Sequence, residues 1–184
     1  MSGLIYTLDL ATLTGWAKGR SGDMPLSGVK ALKKDGEQPN HGRTGHRLVK
    51  WLADEWSQEK PWLVVVESLL PLGGFAHRKS NEANVKLQIG LHMAARIVAD
   101  MYDVRLIDIS NQTVRKHFIG FARFDKKIHR GSIKDYVVDR CHLLKYMGSG
   151  EYDDNQADAL AMWDWACAHY ARARPTELHL FKQR

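Results

Sequence analysis

Three features of the sequence predict an α/β fold. β-prone apolar stretches crowd its first third, helical apolar stripes alternate with short strands after that, and two of the strand candidates end at a carboxylate. The first strand is Leu4 to Leu10, with Asp9 near its end. Thr14 to Lys18 and Leu26 to Leu32, punctuated by Gly15 and Ser21-Gly22, complete an antiparallel hairpin or meander. Thr44 to Glu59 carries Leu48, Trp51, Leu52 and Trp56 at helical spacing and stops before Pro61, which cannot continue helical bonding. Leu63 to Val66 is the next buried strand and runs into Glu67. Beyond the Gly73-Gly74 loop, Ala83, Leu87, Leu91, Ala94, Ala95 and Val98 form a second helical stripe, followed by a strand from Val104 to Ile109. Ser110 suits the N-cap of a short helix reaching about Phe118. Ile133, Val137 and Leu144 mark another helix to about Lys145, and the last long helix starts near Asp153.

The 184 residues fit one domain, residues 1–174, with a short tail over 175–184, and a 44% hydrophobic content is enough for a sizeable core. No repeat or linker argues for a second domain. Apolar runs such as Trp62 to Val66 are far shorter than the ~20 residues of a membrane-spanning helix. The start, with no cationic segment and an acid at Asp9, does not read as a signal peptide. A cytoplasmic protein of bacterial or bacteriophage origin is expected, with no membrane partner and no organic cofactor. Cys141 and Cys167 are too few and too far apart for a disulfide scaffold or zinc finger, and read as small buried side chains. The nine histidines form no metal-ligand spacing and read as surface or packing residues.

The acids carry the chemistry. Asp154 and Asp158 stand four apart, on one face of the last helix, where like charges repel. Asp153, Asp154 and Asn155 also suit a helix cap with Asp158 as a solvated first-turn acid, and for these residues alone that is the commoner use. Asp9 and Glu67 change the balance, because an acid closing a buried strand is costly to desolvate unless paired or metal-bound. An oxygen-only donor set suits Mg2+, with Mn2+ as its substitute, rather than Zn2+. Paired ions of that kind activate water and stabilise the leaving oxygen of a phosphodiester.

The run Leu8-Asp9-Leu10, then Thr14-Gly15-Trp16-Ala17, Val64-Val65-Val66-Glu67 and Gln156-Ala157-Asp158-Ala159-Leu160-Ala161 resembles RuvC-type Holliday junction resolvases of the RNase H-like nuclease superfamily. The likeness keeps its order from about Leu4 to Ala168 and includes Lys86-Leu87-Gln88-Ile89-Gly90 on the middle helix. It implies an RNase H-like five-stranded mixed sheet flanked by α-helices, a homodimer, and Mg2+-dependent paired nicks across a four-way DNA junction. By motif match Asp9, Glu67 and Asp158 become metal ligands on the first strand, its neighbour and the final helix. The family often carries its remaining acid three residues before the last, where this chain has Asn155. Asp154, four before, is favoured for the fourth place, because it shares the helical face and a carboxylate binds a hard cation better than an amide. Arg115 and Lys134 match basic positions that contact DNA or assist catalysis. Where the family places an aromatic wedge after the strand glutamate, this chain has Leu70, with Phe75 further on.

The net charge is +6, and five of these charges lie between Thr113 and Asp135, where Arg115, Lys116, Arg123, Lys126, Lys127, Arg130 and Lys134 face only Asp125 and Asp135. This patch suits phosphate contact, and Phe118, Phe121 and Phe124, every third residue within it, suit either base stacking or the core. The loop Leu70 to Ser80, with Phe75, Arg78 and Lys79, follows Glu67 and can reach a junction. Trp163 and Trp165 point in different directions from one helix, which leaves one for a dimer contact. The expected activity is that of a crossover junction endodeoxyribonuclease leaving 5′-phosphate and 3′-hydroxyl ends. The rival readings are a non-cleaving junction-binding protein, whose acids cap or pair structurally, and an RNase H-like nuclease for another branched or hybrid substrate. The Asp9-to-Gly15 spacing also superficially matches the phosphate loop of actin-like kinases, but 184 residues are too few for their two domains.

Overall fold

The computed structural model describes residues 3–38, 40–69, 82–123 and 131–171. Five strands, β1 (Ile5–Asp9), β2 (Leu13–Gly19), β3 (Leu26–Ala31), β4 (Leu63–Glu67) and β5 (Arg105–Ile109), form one sheet in the order β3-β2-β1-β4-β5. The first three make an antiparallel meander. β4 then pairs parallel with β1, and β5 parallel with β4, so the sheet is mixed, as expected. Five helices accompany it among the described residues: α1 (His41–Gln58), α2 (Glu82–Met101), α3 (Asn111–Phe118), α4 (Ile133–Leu143) and α5 (Asp154–Tyr170). None is long and apolar enough to cross a membrane.

Alternation along β1 and β4 divides the core in two. Tyr6, Leu8, Val64 and Val66 face α1 and α2, meeting Leu48, Leu52, Trp56, Leu91, Ala95 and Val98. Ile5, Leu63 and Val65 face the other way, onto Val114, Phe118, Val137, Cys141, Leu160 and Trp163 of α3, α4 and α5. Both strands are therefore apolar on both faces, the pattern of a strand buried beneath two helical layers. Thr7 shares the second face, and its buried hydroxyl donates to the Ala159 carbonyl at 2.7 Å, tying β1 to α5.

Several expectations need correction. α1 starts at His41, three residues before Thr44, because the Asn40 side chain accepts from the Arg43 N–H at 2.8 Å and caps the helix there. Of the two uses open to the phenylalanines, Phe118 takes the core, while Phe121 packs edge-on against Tyr136. Trp163 and Trp165 are both buried, with the Trp163 indole donating to the Gly19 carbonyl at 3.2 Å, so neither offers a dimer contact. Cys141 and Cys167 are free and buried, as expected.

Candidate active site

Asp9 ends β1 and Glu67 ends β4. Because those strands are parallel neighbours in register from Ile5↔Leu63 to Leu8↔Val66, the two acids emerge side by side at one end of the sheet. Parity puts both on the face of Ile5, Leu63 and Val65, the face that α5 covers. α5 brings Asp158. Its first turn is capped by Asp153, whose carboxylate accepts from the Asn155 and Gln156 N–H groups at 3.0 Å. Ala157, Ala159 and Ala161, all buried, let the helix lie close to the sheet. The closest approach is at Gly15, the β2 residue paired with Asp9: a Cβ there would stand 1.9 Å from the Asn155 carbonyl oxygen.

The three acids sense one another. Burial first, then the Glu67 and Asp158 charges, push Asp9 up to about 8, against the opposing pull of Lys134 and Arg115. Burial raises Asp158 to about 6, with Arg115 opposing it. Glu67 is also raised by burial, offset by hydrogen bonds with Asn111 and Asp9. Burial and the neighbouring acids thus favour the protonated carboxyl of Asp9, which hydrogen-bonds Glu67. The pair lines a cavity of about 200 Å3 together with Ser68, Gln88 and His92.

Two cations guard the cluster. Arg115 extends from α3 to place Nη2 3.8 Å from Asp158 Oδ2, with side chains only 20% and 16% exposed. α3 is fixed on α5 by His117, whose Nε2 lies 2.9 Å from Asp164 Oδ2, while the Tyr146 hydroxyl donates to Asp164 Oδ1 at 2.8 Å. Lys134, at the start of α4, is ion-paired with Asp154. Asp154 thus faces Lys134, although it shares a helical face with Asp158. Asn155 contributes the backbone carbonyl that abuts Gly15.

Lys116 and Arg123 are exposed, available to an external anion. Phe75, Arg78, Lys79, Phe124, Lys126, Lys127 and Arg130, and the tail 175–184, lie outside the described residues. Sequence reasoning missed Asn111, which hydrogen-bonds Glu67, and His92, which it read as packing. Asn111 carried a signal, since it follows the Ser110 cap at the carboxyl end of β5, beside β4.

Among the described residues no three Asp, Glu, His or Cys side chains form a ready-made ligand cage. The chemistry of the donors nevertheless fits a hard divalent cation: Asp9 and Glu67 offer oxygen to one cavity, and Asp158 is close enough for its charge to act on Asp9.

No protein-family model and no curated protein matches the chain. Solved structures do. Thermus thermophilus RuvC aligns over 92% of this chain and 95% of its own, with a TM-score of 0.63 at 16% identity. T. thermophilus RuvC in complex with Holliday junction substrate gives the same coverage and TM-score at 18% identity. The yeast mitochondrial Holliday junction resolvase Ydc2 aligns over 91% of this chain and 81% of its own, with a TM-score of 0.55 at 13% identity. The fold is therefore that of the RuvC-type resolvases, an RNase H-like α/β fold.

Proposed function

We propose that this chain is a metal-dependent, structure-selective DNA endonuclease that resolves four-way junctions by paired symmetric nicks. The observation that carries the reading is the convergence of Asp9, Glu67 and Asp158 from two strand ends and a helix, on a fold shared with RuvC and Ydc2. Asp9, Glu67 and Asp158 would hold Mg2+, or Mn2+ in its place. Asp154 would join them only by releasing Lys134, and Asn155 is the alternative for the fourth place. When bound, the metal supplies a nucleophile from water and stabilises charge on the leaving oxygen.

The chain's own residues do the rest. Asp9 gives up its proton on loading and Arg115 keeps Asp158 charged. Lys134, exchanging Asp154 for a phosphate oxygen, orients the scissile group. Arg115 sits too deep for general DNA contact and acts at the site, whereas Lys116 and Arg123, with Lys126, Lys127 and Arg130, hold flanking phosphates. Phe75, Arg78 and Lys79 would meet the junction centre. Hydrolysis leaves a 5′-phosphate and a 3′-hydroxyl.

Paired nicks need two sites, and each chain carries one. A two-fold homodimer matches the symmetry of the junction. Its face would be the later turns of α2, where Ile97 and Met101 are exposed beyond the hollow that Ile89 and Met93 line.

One observation favours a non-cleaving junction-binding protein: Lys134 and Arg115 already compensate Asp154 and Asp158. A single experiment separates the two readings. A labelled four-way junction, its matched duplex and an RNA–DNA hybrid are incubated with Mg2+ or EDTA, with Asp9→Asn as control. Metal-dependent symmetric nicks on the junction, lost in Asp9→Asn while binding persists, are the expected result. Cutting of hybrid instead would change the substrate, and tight binding without Asp9-dependent cutting would favour the non-cleaving protein.

A further inference from the structure

The cavity at Asp9 and Glu67 does not end at the acids. It shares Ser68, Leu69 and His92 with a second hollow of about 320 Å3 that continues over Met93 and Arg96 to Asp108. One groove thus runs from the acids along α2. Gln88, His92 and Arg96, four residues apart on one helical face, line it in turn. Arg96 is ion-paired with Asp108 on β5, so the far end of the groove presents no uncompensated negative charge.

His92 sits in the wall that the two hollows share. It is only 6% exposed, and Asp108 is the acid it approaches among the described residues. Nδ1 lies 3.8 Å from Asp108 Oδ1, beyond hydrogen-bond length. Burial holds the imidazole below its ordinary range. Neither ring nitrogen is among the fully buried atoms left without a hydrogen bond, so among the described residues the ring keeps an edge open to the groove, where a ligand can meet its N–H.

We propose that His92 is a substrate-contacting residue of this site, donating an imidazole N–H to a phosphate of the cleaved strand that flanks the scissile one and lies in the groove along α2. The inference rests on reading the acids as a nuclease centre. A strand whose scissile phosphate sits at Asp9 and Glu67 must continue past one wall of that cavity, and on the α2 side the next polar groups are Gln88 and His92.

The test pairs protein and DNA substitutions. His92→Leu fills the volume without a donor, and His92→Gln restores one. Junctions carry a neutral methylphosphonate at single positions on either side of the scissile phosphate. Binding is read in EDTA and single-turnover cutting in Mg2+. The expected result is that His92→Leu weakens binding about tenfold, the loss of one hydrogen bond to a charged group. At one flanking position the methylphosphonate costs the wild type a similar factor and costs His92→Leu nothing, as coupled partners require, and His92→Gln recovers part of the loss.

Equal methylphosphonate penalties in both proteins at every position would overturn the contact. So would a wild-type scan with no penalised flanking position, a result that needs no variant to fold. A His92→Leu defect that follows base changes rather than phosphate neutralisation would assign the ring to a base and overturn it too. Failure of the wild type to cut any junction would remove the nuclease reading, while the EDTA binding arm still decides the phosphate contact.

Discussion

Asp9 is the residue whose environment says most. Its carboxyl is raised from the ordinary range to about 8, chiefly by burial and then by Glu67 and Asp158, and Asp158 is raised to about 6. For an acid whose folded value lies above its unfolded one, the folded state binds the extra proton between the two values. Stability is therefore fullest below the unfolded value near 4 and falls as pH rises to about 8. The metal-free protein should lose melting temperature steadily over that window. Asp9→Asn, which keeps a donor toward Glu67 but cannot ionise, should flatten most of the slope, leaving the smaller part from Asp158 and Glu67. Mg2+ should raise the melting temperature at pH 8 far more than at pH 5, with proton release on binding read by calorimetry in buffers of different ionisation heat. A melting temperature that climbs from pH 5 to 8 without metal would contradict the buried acid pair. Asp9 and Glu67 were legible in the sequence because an acid closing an apolar strand is conspicuous. The engagement of Asp154 by Lys134 was not, since helical spacing gives the face of a residue and says nothing about a cation arriving from twenty positions away.

At the scale of elements, the site depends on how closely α5 lies against β2. Gly15 pairs with Asp9 in the sheet, and the Asn155 carbonyl occupies the space its Cβ would need. The obstructing atoms, the Asn155 carbonyl and the Gln156 nitrogen, are all backbone, so no side-chain rotation can relieve the clash. Gly15→Ala should cost at least ~1–3 kcal/mol as overpacking and shift the start of α5 away from β1. Cleavage should fall by more than the loss of folded protein explains, because Asp158 moves with the helix. Chemical denaturation and single-turnover cutting of the same sample check both halves, and a stable Gly15→Ala enzyme of full activity would show that α5 does not need this approach. The five strands and the helical alternation were legible because β1 and β4 are apolar on both faces and the helices keep a 3.6-residue stripe. The start of α1 was not, because His41 and Gly42 are poor helix formers and only the Asn40 cap holds that turn. Phe118 shows the same limit, since threefold spacing within a basic stretch is shared by a core stripe and a stacking surface, and only packing against α4 and α5 separates them.

For the whole molecule, the feature that bears on assembly is the outward stripe of α2. Ile89, Met93, Ile97 and Met101 are 42–64% exposed on one line of the helix, while the opposite line, Leu91, Ala95 and Val98, is buried against the sheet. A helix apolar on both sides is suited to burial on both, and in the proposed dimer a second copy of the chain would cover Ile97 and Met101 while bringing a second set of acids to the same DNA. Ile97→Glu tests this without touching the cavity residues. Two buried carboxylates facing each other across a two-fold axis would repel, so sedimentation at micromolar concentration should change from dimer to monomer. The variant should keep its fold, since Ile97 adds nothing to either core cluster, and should keep Mg2+ binding by Asp9, Glu67 and Asp158. What it should lose is coordination between cuts: on a supercoiled plasmid extruding a cruciform, wild type should convert substrate directly to linear product, whereas Ile97→Glu should accumulate nicked circles. A wild-type protein that sediments as a monomer yet makes paired cuts would leave the stripe without this role, and a dimeric Ile97→Glu would place the two-fold contact elsewhere on the surface.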